Sequence, residues 1–369
     1  MPLSHLSRLT RLKALAFVIL LLAVPLATSR PLDAKAVGTL KLIHHIDYPS
    51  GTDISFAGDR VFFTQSGAVT DGVLRIMDVS GAKPKVVGEM TCGGNQNDVA
   101  AISEDLIAVG SHWGSCGPQP SSGVNLIDVS DPSSPQQLGF AVLPVGTHTL
   151  TVHPSEPLIY ASNSINDPNF IIDISNPLVP ITIPTDMQTC HDITFQITKK
   201  EQLAFCAGGG PNTQIWDVSD PRAPSVISTI VDDGIGYHHE AMATPDGDYL
   251  VIGDEDSGGT CSNQQKKREL GAISIYDIRD RAKPKMVGFM NSPRGPSVCW
   301  AHNFNFIDNR TLVIGWWQAG TSIIDISDPT APKETDFFQS DSQAVWSSYF
   351  YKGRIYVNSG SGAWVLDGE

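Results

Sequence analysis

The sequence VNLIDVSDPSSP at residues 124–135 contains a unit that is repeated through the chain. A hydrophobic strand ends in Asp128, and a turn rich in Ser, Asp and Pro follows it. Proline fixes φ and Asp bonds to its own backbone, so this unit predicts a strand–turn–strand connector. The same strand ending recurs at Asp78, Asp128, Asp173, Asp217, Asp277, Asp325 and Asp367. The intervals are 50, 45, 44, 60, 48 and 42 residues, which is the period of a four-stranded propeller blade.

Each repeat has three strands before the turn and one after it. In the third repeat the first two strands are expected at residues 148–153 and 158–162. The last repeat ends after its third strand, at residues 363–366, whereas residues 38–47 form a lone outer strand before the first repeat. Pairing these two strands closes a ring and removes an exposed edge. The sequence therefore predicts an all-β fold, a single seven-bladed β-propeller with four-stranded blades over residues 38–369. An open β-solenoid and two sandwiches are the alternatives.

The N-terminus has the pattern of a secretory signal peptide over residues 1–29. Basic residues precede an apolar run of 14 residues at 14–27, and small residues precede a cut before Arg30. A membrane anchor needs about 20 apolar residues, so a retained anchor is the weaker alternative. Residues 30–37 form a linker. We expect the mature chain to be a secreted or otherwise extracytoplasmic monomer, in the periplasm or at the cell surface, with no membrane span.

Composition restricts the class of partner. The chain has 25 basic and 39 acidic residues and a net charge of −14. Nucleic-acid binding needs clustered Lys and Arg, so a nucleic-acid partner is excluded. A hydrophobic fraction of 41% with 33 Gly and 25 Pro is typical of a globular chain with a full core and many turns.

The six cysteines include no CxxC pair. An even number in an oxidising compartment predicts three disulfides. In a propeller the first strand of a blade begins on the face where the second strand ends, which brings cysteines at these two positions together. This relation predicts the bridges Cys92–Cys116 and Cys190–Cys206. Cys261, in a long loop after a second strand, can reach Cys299, which precedes the first strand of the next blade, so the third predicted bridge is Cys261–Cys299.

The repeat resembles the LVIVD-repeat family, whose units consist of a hydrophobic strand, I-x-D-[VI]-S-[DN]-P-x-x-P and an outer strand. The beginnings of four first strands, together with LVIGDE at 250–255, are similar to the secreted "choice-of-anchor B" branch. Those beginnings are Thr147-His148, Cys190-His191-Asp192, His238-His239-Glu240 and Ala301-His302-Asn303. Thr149 and Glu240 depart from the Asn and Gln of that branch. The resemblance implies a β-propeller fold and export, and it implies no activity.

Four histidines occupy the same repeat position in four successive repeats. They are His148, His191, His239 and His302. Because the first strand of a blade lines the central channel, four imidazoles directed at one axis form a ligand set for Fe, Cu, Zn or Mn. Further residues at this level are expected to orient the histidines or to line the same pocket. They are Asp53, Asp98, Asp192, Glu240, Asn303 and Trp346. A water-filled polar mouth and a metal-free acid–base site are the alternatives.

Other polar residues are weaker candidates. His112 falls in a long loop after a second strand, and His238 points away from its neighbour. The acidic sequence at 254–256 resembles a fragment of a calcium loop, and we expect it to be solvated. One of Trp316 and Trp317 is assigned to packing, and the other lies near the mouth.

Three classes of function follow from these observations, and the sequence assigns no catalytic residue. The first is a metal-dependent enzyme, an oxidoreductase or a lyase, that acts on a small substrate. The second is a non-enzymatic module that binds a small molecule or an extracellular protein through loops around residues 111–122 and 254–270. The third is a structural scaffold. The metal content of the mature protein distinguishes the first class from the others.

Overall fold

Strands form nearly all of the regular structure. The computed structural model describes residues 37–67, 72–95, 97–110, 112–117, 122–163, 168–210, 212–255, 268, 270–294, 300–339 and 344–368. No α-helix occurs in these ranges, and so none that is long and apolar enough to cross a membrane. The chain divides into Met1–Ala34 and Lys35–Glu369, and the described residues belong to the second unit. The predicted signal peptide at 1–29 lies outside the described residues.

The described residues form 29 strands, numbered in chain order. The first fourteen are β1 (Val37–Gly38), β2 (Leu42–Asp47), β3 (Gly51–Ala57), β4 (Arg60–Gln65), β5 (Val73–Asp78), β6 (Lys85–Thr91), β7 (Asp98–Ala101), β8 (Leu106–Gly110), β9 (Gly123–Asp128), β10 (Gln136–Val142), β11 (Thr149–Val152), β12 (Leu158–Ser162), β13 (Phe170–Asp173) and β14 (Ile181–Pro184). The other fifteen are β15 (Asp192–Ile197), β16 (Gln202–Ala207), β17 (Asn212–Asp217), β18 (Ser225–Val231), β19 (His238–Ala243), β20 (Tyr249–Asp254), β21 (Ile273–Asp277), β22 (Lys285–Met290), β23 (Ala301–Phe306), β24 (Thr311–Trp316), β25 (Gly320–Asp325), β26 (Lys333–Gln339), β27 (Val345–Tyr351), β28 (Arg354–Ser359) and β29 (Gly362–Asp367).

These strands form repeated four-stranded antiparallel sheets. Five sheets consist of consecutive strands, namely β3–β6, β7–β10, β11–β14, β15–β18 and β19–β22. The remaining strands form a sheet of nine in the order β1-β26-β25-β24-β23-β27-β28-β29-β2. Its two halves meet at a single parallel pair between Asn303 and Ser347. The repetition is consistent with a β-propeller.

The N-terminal segment pairs with two different strands. We predicted one strand over residues 38–47, but Gly38 lies opposite Phe338 in β26, whereas β2 runs antiparallel to β29. The break has a local cause, because the N–H groups of Thr39 and Leu40 both donate to the Phe337 carbonyl and turn the chain. A Cβ on Gly38 would lie 2.2 Å from that oxygen, so only glycine fits at this close approach.

The first strands of neighbouring sheets lie beside one another. β3 contacts β7, β7 contacts β11, and the series continues through β15, β19 and β23 to β27, which contacts β3. Apolar layers fill the space between sheets, as where fully buried Leu126, Ile159 and Ile172 meet. Trp316 is also fully buried, and its Nε1–H donates to Ser322 Oγ at 2.9 Å. The sheets therefore pack face to face, with their first strands side by side.

The repeated aspartate closes the turn that follows each third strand. Its Oδ1 accepts the backbone N–H two residues further on, at 2.7–3.1 Å, in six repeats. The donors are Ser80, Ser130, Ser175, Ser219, Arg279 and Ser327. This Asx turn explains why Asp, rather than another polar residue, ends these strands.

Two disulfides lie at the ends of the second strands. They join Cys92 to Cys116 and Cys190 to Cys206, the pairs that the strand order predicts. Cys261 and Cys299, the third predicted pair, lie outside the described residues. Disulfides persist in oxidising compartments, so the two bridges indicate an extracytoplasmic environment.

Removing the Cys190–Cys206 bridge is expected to destabilise the fold. The bridge closes a loop with a sequence separation of 16, for which loop-closure entropy gives a loss of about 3 kcal/mol. Guanidinium denaturation of the Cys190→Ala/Cys206→Ala variant measures this loss. The Cys92→Ala/Cys116→Ala variant is an independent second test, because its sequence separation of 24 predicts a similar loss of stability. Unchanged midpoints in both variants would argue against bridges at these positions.

Candidate functional site

The four predicted histidines lie at the beginnings of four successive first strands. His148 and His191 immediately precede β11 and β15, and His239 and His302 are the second residues of β19 and β23. The hairpin partner fixes the backbone, since the His148 N–H donates to the Ser162 carbonyl at 2.8 Å. Register shifts near the beginnings of β19 and β23 place the other two histidines at the same level. All four side chains are buried.

The four imidazoles form a continuous row. Ring centroids are 4.3 Å apart for His148 and His191, and 4.1 Å apart for His191 and His239. The centroids of His239 and His302 are also 4.1 Å apart. The common repeat position thus becomes side-chain contact between neighbouring sheets.

Hydrogen bonds fix the orientation of the central ring. His191 Nδ1 lies 3.0 Å from the His239 carbonyl oxygen, which can only accept, so the proton is on Nδ1. The Nε2 atom of the neutral His191 ring is therefore unprotonated, and it accepts the Nε2–H of His148 at 2.6 Å. A metal ion at this lone pair would replace that hydrogen bond. A ring that donates Nδ1–H to a carbonyl and directs Nε2 into a site has the usual orientation of a metal-ligating histidine.

His112 extends the row on the other side. Its Nε2 lies 2.8 Å from His148 Nδ1. The sequence placed His112 in a loop after a second strand and left it out of the site. That loop follows β8, whose end lies beside the beginnings of the first strands, and this position is the signal that could have included it.

Glu255 joins the row at its opposite end, contrary to the expectation of a solvated acidic loop. Its carboxylate oxygens lie 3.5 Å from His239 Nε2 and 3.5 Å from His302 Nε2. The preceding residue explains the position, because the Asp254 carboxylate accepts the N–H groups of Tyr237 and Gly271 at 2.9 Å each. These bonds hold the end of β20 over the histidines, so Glu255 is directed inwards. Asp256 lies outside the described residues.

The donor atoms of three residues are close enough to share one metal ion. Among the described residues, ligand atoms of His191, His239 and Glu255 all lie within 4.8 Å of one another. Metal–ligand distances of about 2.1 Å place two donors at most about 4.2 Å apart, so a small inward movement is required. In addition, the Nδ1 atoms of His239 and His302 are buried with no hydrogen-bond partner among the described residues. After such an inward movement, the three donor atoms would lie within range of one ion.

The protonation states favour metal binding at neutral pH. Burial lowers the pKa of His191 to about 4 and the pKa values of His148 and His239 well below 6.5. Burial acts in the opposite sense on the Glu255 carboxyl, but the hydrogen bond from His302 and the adjacent imidazoles hold its pKa below the usual value. Neutral imidazole and ionised carboxylate are the ligating forms.

An aromatic rim, consisting of Trp300, Trp317, Trp346 and Tyr237, surrounds the row. Trp300 stacks on Trp317 at 5.5 Å, and the Trp317 and Trp346 ring centroids are 5.4 Å apart. His302 lies 5.0 Å from Trp346, and His191 lies 5.3 Å from Tyr237. Trp316 is in the core and Trp317 is in the rim, which is the division of roles predicted for this pair.

A separate layer of acidic residues follows the histidines in sequence. Five predicted pocket residues line a cavity of about 300 Å³ together with Tyr349. We call it the carboxylate cavity, and the predicted residues are Asp53, Asp98, Asp192, Glu240 and Asn303. Trp346 is not among them, but with Asp98 and Asn303 it lines a small pocket of about 10 Å³ beside His148, His191 and His239. The ring N–H of His191 donates to the His239 carbonyl and not to one of these acids.

The acidic side chains bond to strand backbones. Asp98 Oδ2 accepts the N–H of Leu150 at 2.6 Å, and Glu240 Oε2 accepts the N–H of Phe304 at 2.8 Å. Each of these bonds joins one first strand to the next. These two acids therefore connect neighbouring sheets, a role that differs from the predicted one of orienting histidines.

The carboxylate cavity holds protons to unusually high pH. Burial raises the pKa of Asp192 to about 7, and burial together with the adjacent Asp53 carboxyl raises the pKa of Asp98 well above its usual range. Burial and neighbouring acids also raise the pKa of Glu240. Like charges in a common enclosure cannot all ionise at little cost.

These shifts predict a stability that depends on pH. A carboxyl that stays protonated in the fold but ionises in the unfolded chain lowers the free energy of unfolding as pH rises between its two pKa values. In chelating buffer, Asp98→Asn is expected to remove up to about 1.4 kcal/mol per pH unit of this decline as pH rises above about 4, the pKa of an unfolded Asp. Guanidinium denaturation across that range measures it.

The buried histidines act in the opposite sense, because the unfolded chain binds their protons more tightly. Comparing wild type with Asp98→Asn isolates the contribution of Asp98, because both proteins contain the same histidines. Glu156→Gln, which replaces an exposed acid, is the control. Parallel pH profiles for wild type and Asp98→Asn would contradict the prediction.

The comparison with known families agrees with this architecture. The chain is an all-β repeat protein, and the model of the LVIVD repeat matches residues 122–140 and 312–338. The first match covers β9 and most of β10, and the second covers most of β24, β25 and most of β26. The matches support the LVIVD-repeat family. A search of curated proteins found no match.

Proposed function

We propose that the protein is an exported, seven-bladed LVIVD β-propeller of the choice-of-anchor B kind, in which β2 completes the last blade. The four-stranded sheets, the series of contacts from β3 to β27 and back, and the pairing of β2 with β29 support this architecture. The signal-peptide pattern at 1–29 and the two disulfides support export. The mature chain is then a secreted, periplasmic or surface protein.

The histidine row is the proposed metal centre. The observation that carries this proposal is the convergence of donor atoms from His191, His239 and Glu255 within 4.8 Å. His148 and His302 lie at either side, 2.6 Å from His191 Nε2 and 3.5 Å from the Glu255 carboxylate, respectively. Mixed imidazole and carboxylate ligands suit Fe, Zn or Mn, and an imidazole-rich set also suits Cu.

The proposed activity is that of a metal-dependent oxidoreductase or lyase on a small substrate. A bound transition metal supplies Lewis-acid or redox chemistry. The chain supplies buried, neutral imidazoles and an aromatic rim. Indole faces such as those of Trp300 and Trp317 bind flat or apolar groups, so the rim favours a substrate with such a group.

A non-enzymatic binding propeller is the second candidate. Trp113 follows His112 in the loop after β8 and is 52% exposed. Exposed tryptophan is typical of protein interfaces. In this case the partner is an extracellular protein or a small molecule bound by the loops around 111–122 and 254–270, of which only parts are described.

Elemental analysis distinguishes the two candidates. The full-length precursor is expressed with export in medium containing Fe, Cu, Zn and Mn, and the mature chain is purified without chelator. The enzyme proposal expects about one equivalent of one of these metals per chain. A content below about a tenth of an equivalent for all four contradicts the metal centre and favours the binding propeller.

A further inference from the structure

The carboxylate cavity concentrates negative groups without a basic partner. Asp53, Asp98, Asp192 and Glu240 all line it, and no Lys, Arg or His is among its described lining residues. Three of them are more than nine-tenths buried, and Asp192 is partly buried. An ionised carboxylate removed from water without a counter-charge is strongly unfavourable. The cavity therefore needs protons or a cation.

The hydrogen bonds within the cavity leave acceptors free. A carboxylate offers about four acceptor positions. Glu240 receives the Phe304 N–H and Asp192 receives the Ile193 N–H. Asp53 receives more donors, including the hydroxyls of Ser347 at 3.3 Å and Tyr349 at 3.5 Å. Asp53 and Asp98 also hydrogen-bond to each other. The capacity for a further partner therefore lies mainly on the oxygens of Asp192 and Glu240.

Asn303 provides an independent indication of a ligand. Its side chain lines the cavity and is only 7% exposed. Its Nδ2 donates to the Tyr349 hydroxyl at 3.0 Å, which fixes the orientation of the amide. The Oδ1 atom is then buried without a hydrogen-bond partner among the described residues. A cation, or a water molecule bound to a cation, would satisfy this oxygen.

We propose that the carboxylate cavity binds a hydrated divalent cation of the hard class, Ca²⁺ in particular, at a site separate from the histidine row. Its donors are oxygens of carboxylates, an amide and hydroxyls, the ligands that hard cations prefer. Among the described residues, no three carboxylates of the cavity converge within 4.8 Å, so the cation keeps part of its water shell. A volume of about 300 Å³ accommodates it. Ca²⁺ accepts the irregular geometry that Mg²⁺ does not.

Calcium titration of chelator-treated protein tests the proposal. Calorimetry at pH 7.5 is expected to give a Kd of about 10⁻⁴–10⁻³ M, the range of extracellular calcium modules. Addition of about 10 mM CaCl₂ should raise Tm by about 3 °C. KCl at matched ionic strength should not, and MgCl₂ should act more weakly. Equal effects of CaCl₂ and KCl would overturn the proposal.

Variants assign the binding to the cavity. Asp98→Asn and Asn303→Ala should each raise the Kd for Ca²⁺ at least about tenfold, because each loses a ligand oxygen or its charge. Glu156→Gln, an exposed acid outside the cavity, should bind as wild type does. If Asp98→Asn does not fold, the Asn303→Ala result alone decides. Wild-type affinity in a folded cavity variant would place Ca²⁺ elsewhere and refute the assignment.

The two proposed sites can fail independently. His191→Ala/His239→Ala should lose the transition metal but keep the Ca²⁺ response. Loss of both responses in this folded variant would show one shared site and overturn the separate cavity site.

Discussion

Replacing His191 and His239 together by alanine is expected to abolish transition-metal binding. The change removes two of the three residues whose donor atoms converge within 4.8 Å. Single changes at His148, His191, His239 or His302 should each lower the metal content of the purified protein. Glu255→Gln removes the anionic member of this donor set and should weaken binding by at least about 10–100-fold. Elemental analysis of protein from metal-supplemented medium measures each effect.

His153→Ala is the matched control for these variants. His153 is equally buried, but its Nδ1 accepts the N–H groups of Ser155 and Glu156 in the turn after β11, at the opposite end of that strand. The His153→Ala variant should be less stable than wild type and should keep its metal. If the row is only a polar channel mouth, wild type has no stoichiometric metal, and each histidine variant shows a modest loss of stability alone.

Deleting residues 30–48 is expected to cause aggregation or the loss of cooperative unfolding. The deletion removes β2 and exposes the whole length of β29 as an unpaired edge. It also removes His45, which stacks on Trp364 at 3.4 Å, and Tyr48, whose hydroxyl donates to Asn358 at 2.9 Å. We expect a loss on the order of 5 kcal/mol or more, comparable to the stability of a whole domain.

Size-exclusion chromatography and thermal unfolding of the truncated chain measure this effect. Deletion of residues 30–36 alone is the control, because it keeps β1 and β2. A monomeric 30–48 deletion with unchanged Tm would contradict closure by β2 and favour an open array.

The repeat carried most of the information about the fold. The aspartate that ends each third strand is recognisable in the sequence because one physical task, the Asx turn, recurs in six of the seven units. Repetition likewise placed four histidines in one register, and they lie side by side. A repeated position is visible in sequence because the backbone geometry of each repeat is the same.

The features that the sequence did not reveal depend on single, unrepeated contacts. Glu255 is directed inwards because Asp254 binds the N–H groups of Tyr237 and Gly271, which are distant in sequence. His112 reaches His148 from the loop after β8, through a contact between two different repeats. The division of residues 38–47 depends on the Phe337 carbonyl, far along the chain. Local patterns contain no trace of such long-range partners.

The pairing of β2 with β29 has a consequence for biosynthesis. Tyr48 and its partner Asn358 are 310 residues apart, so β2 is made long before the strand with which it pairs. At about 5–20 residues per second, ribosomes take roughly 15–60 s to synthesise this interval. The intermediate sheets can form in the meantime, but β2 stays unpaired until β29 has been made. A chaperone that recognises extended apolar segments therefore has a long period in which to bind β2.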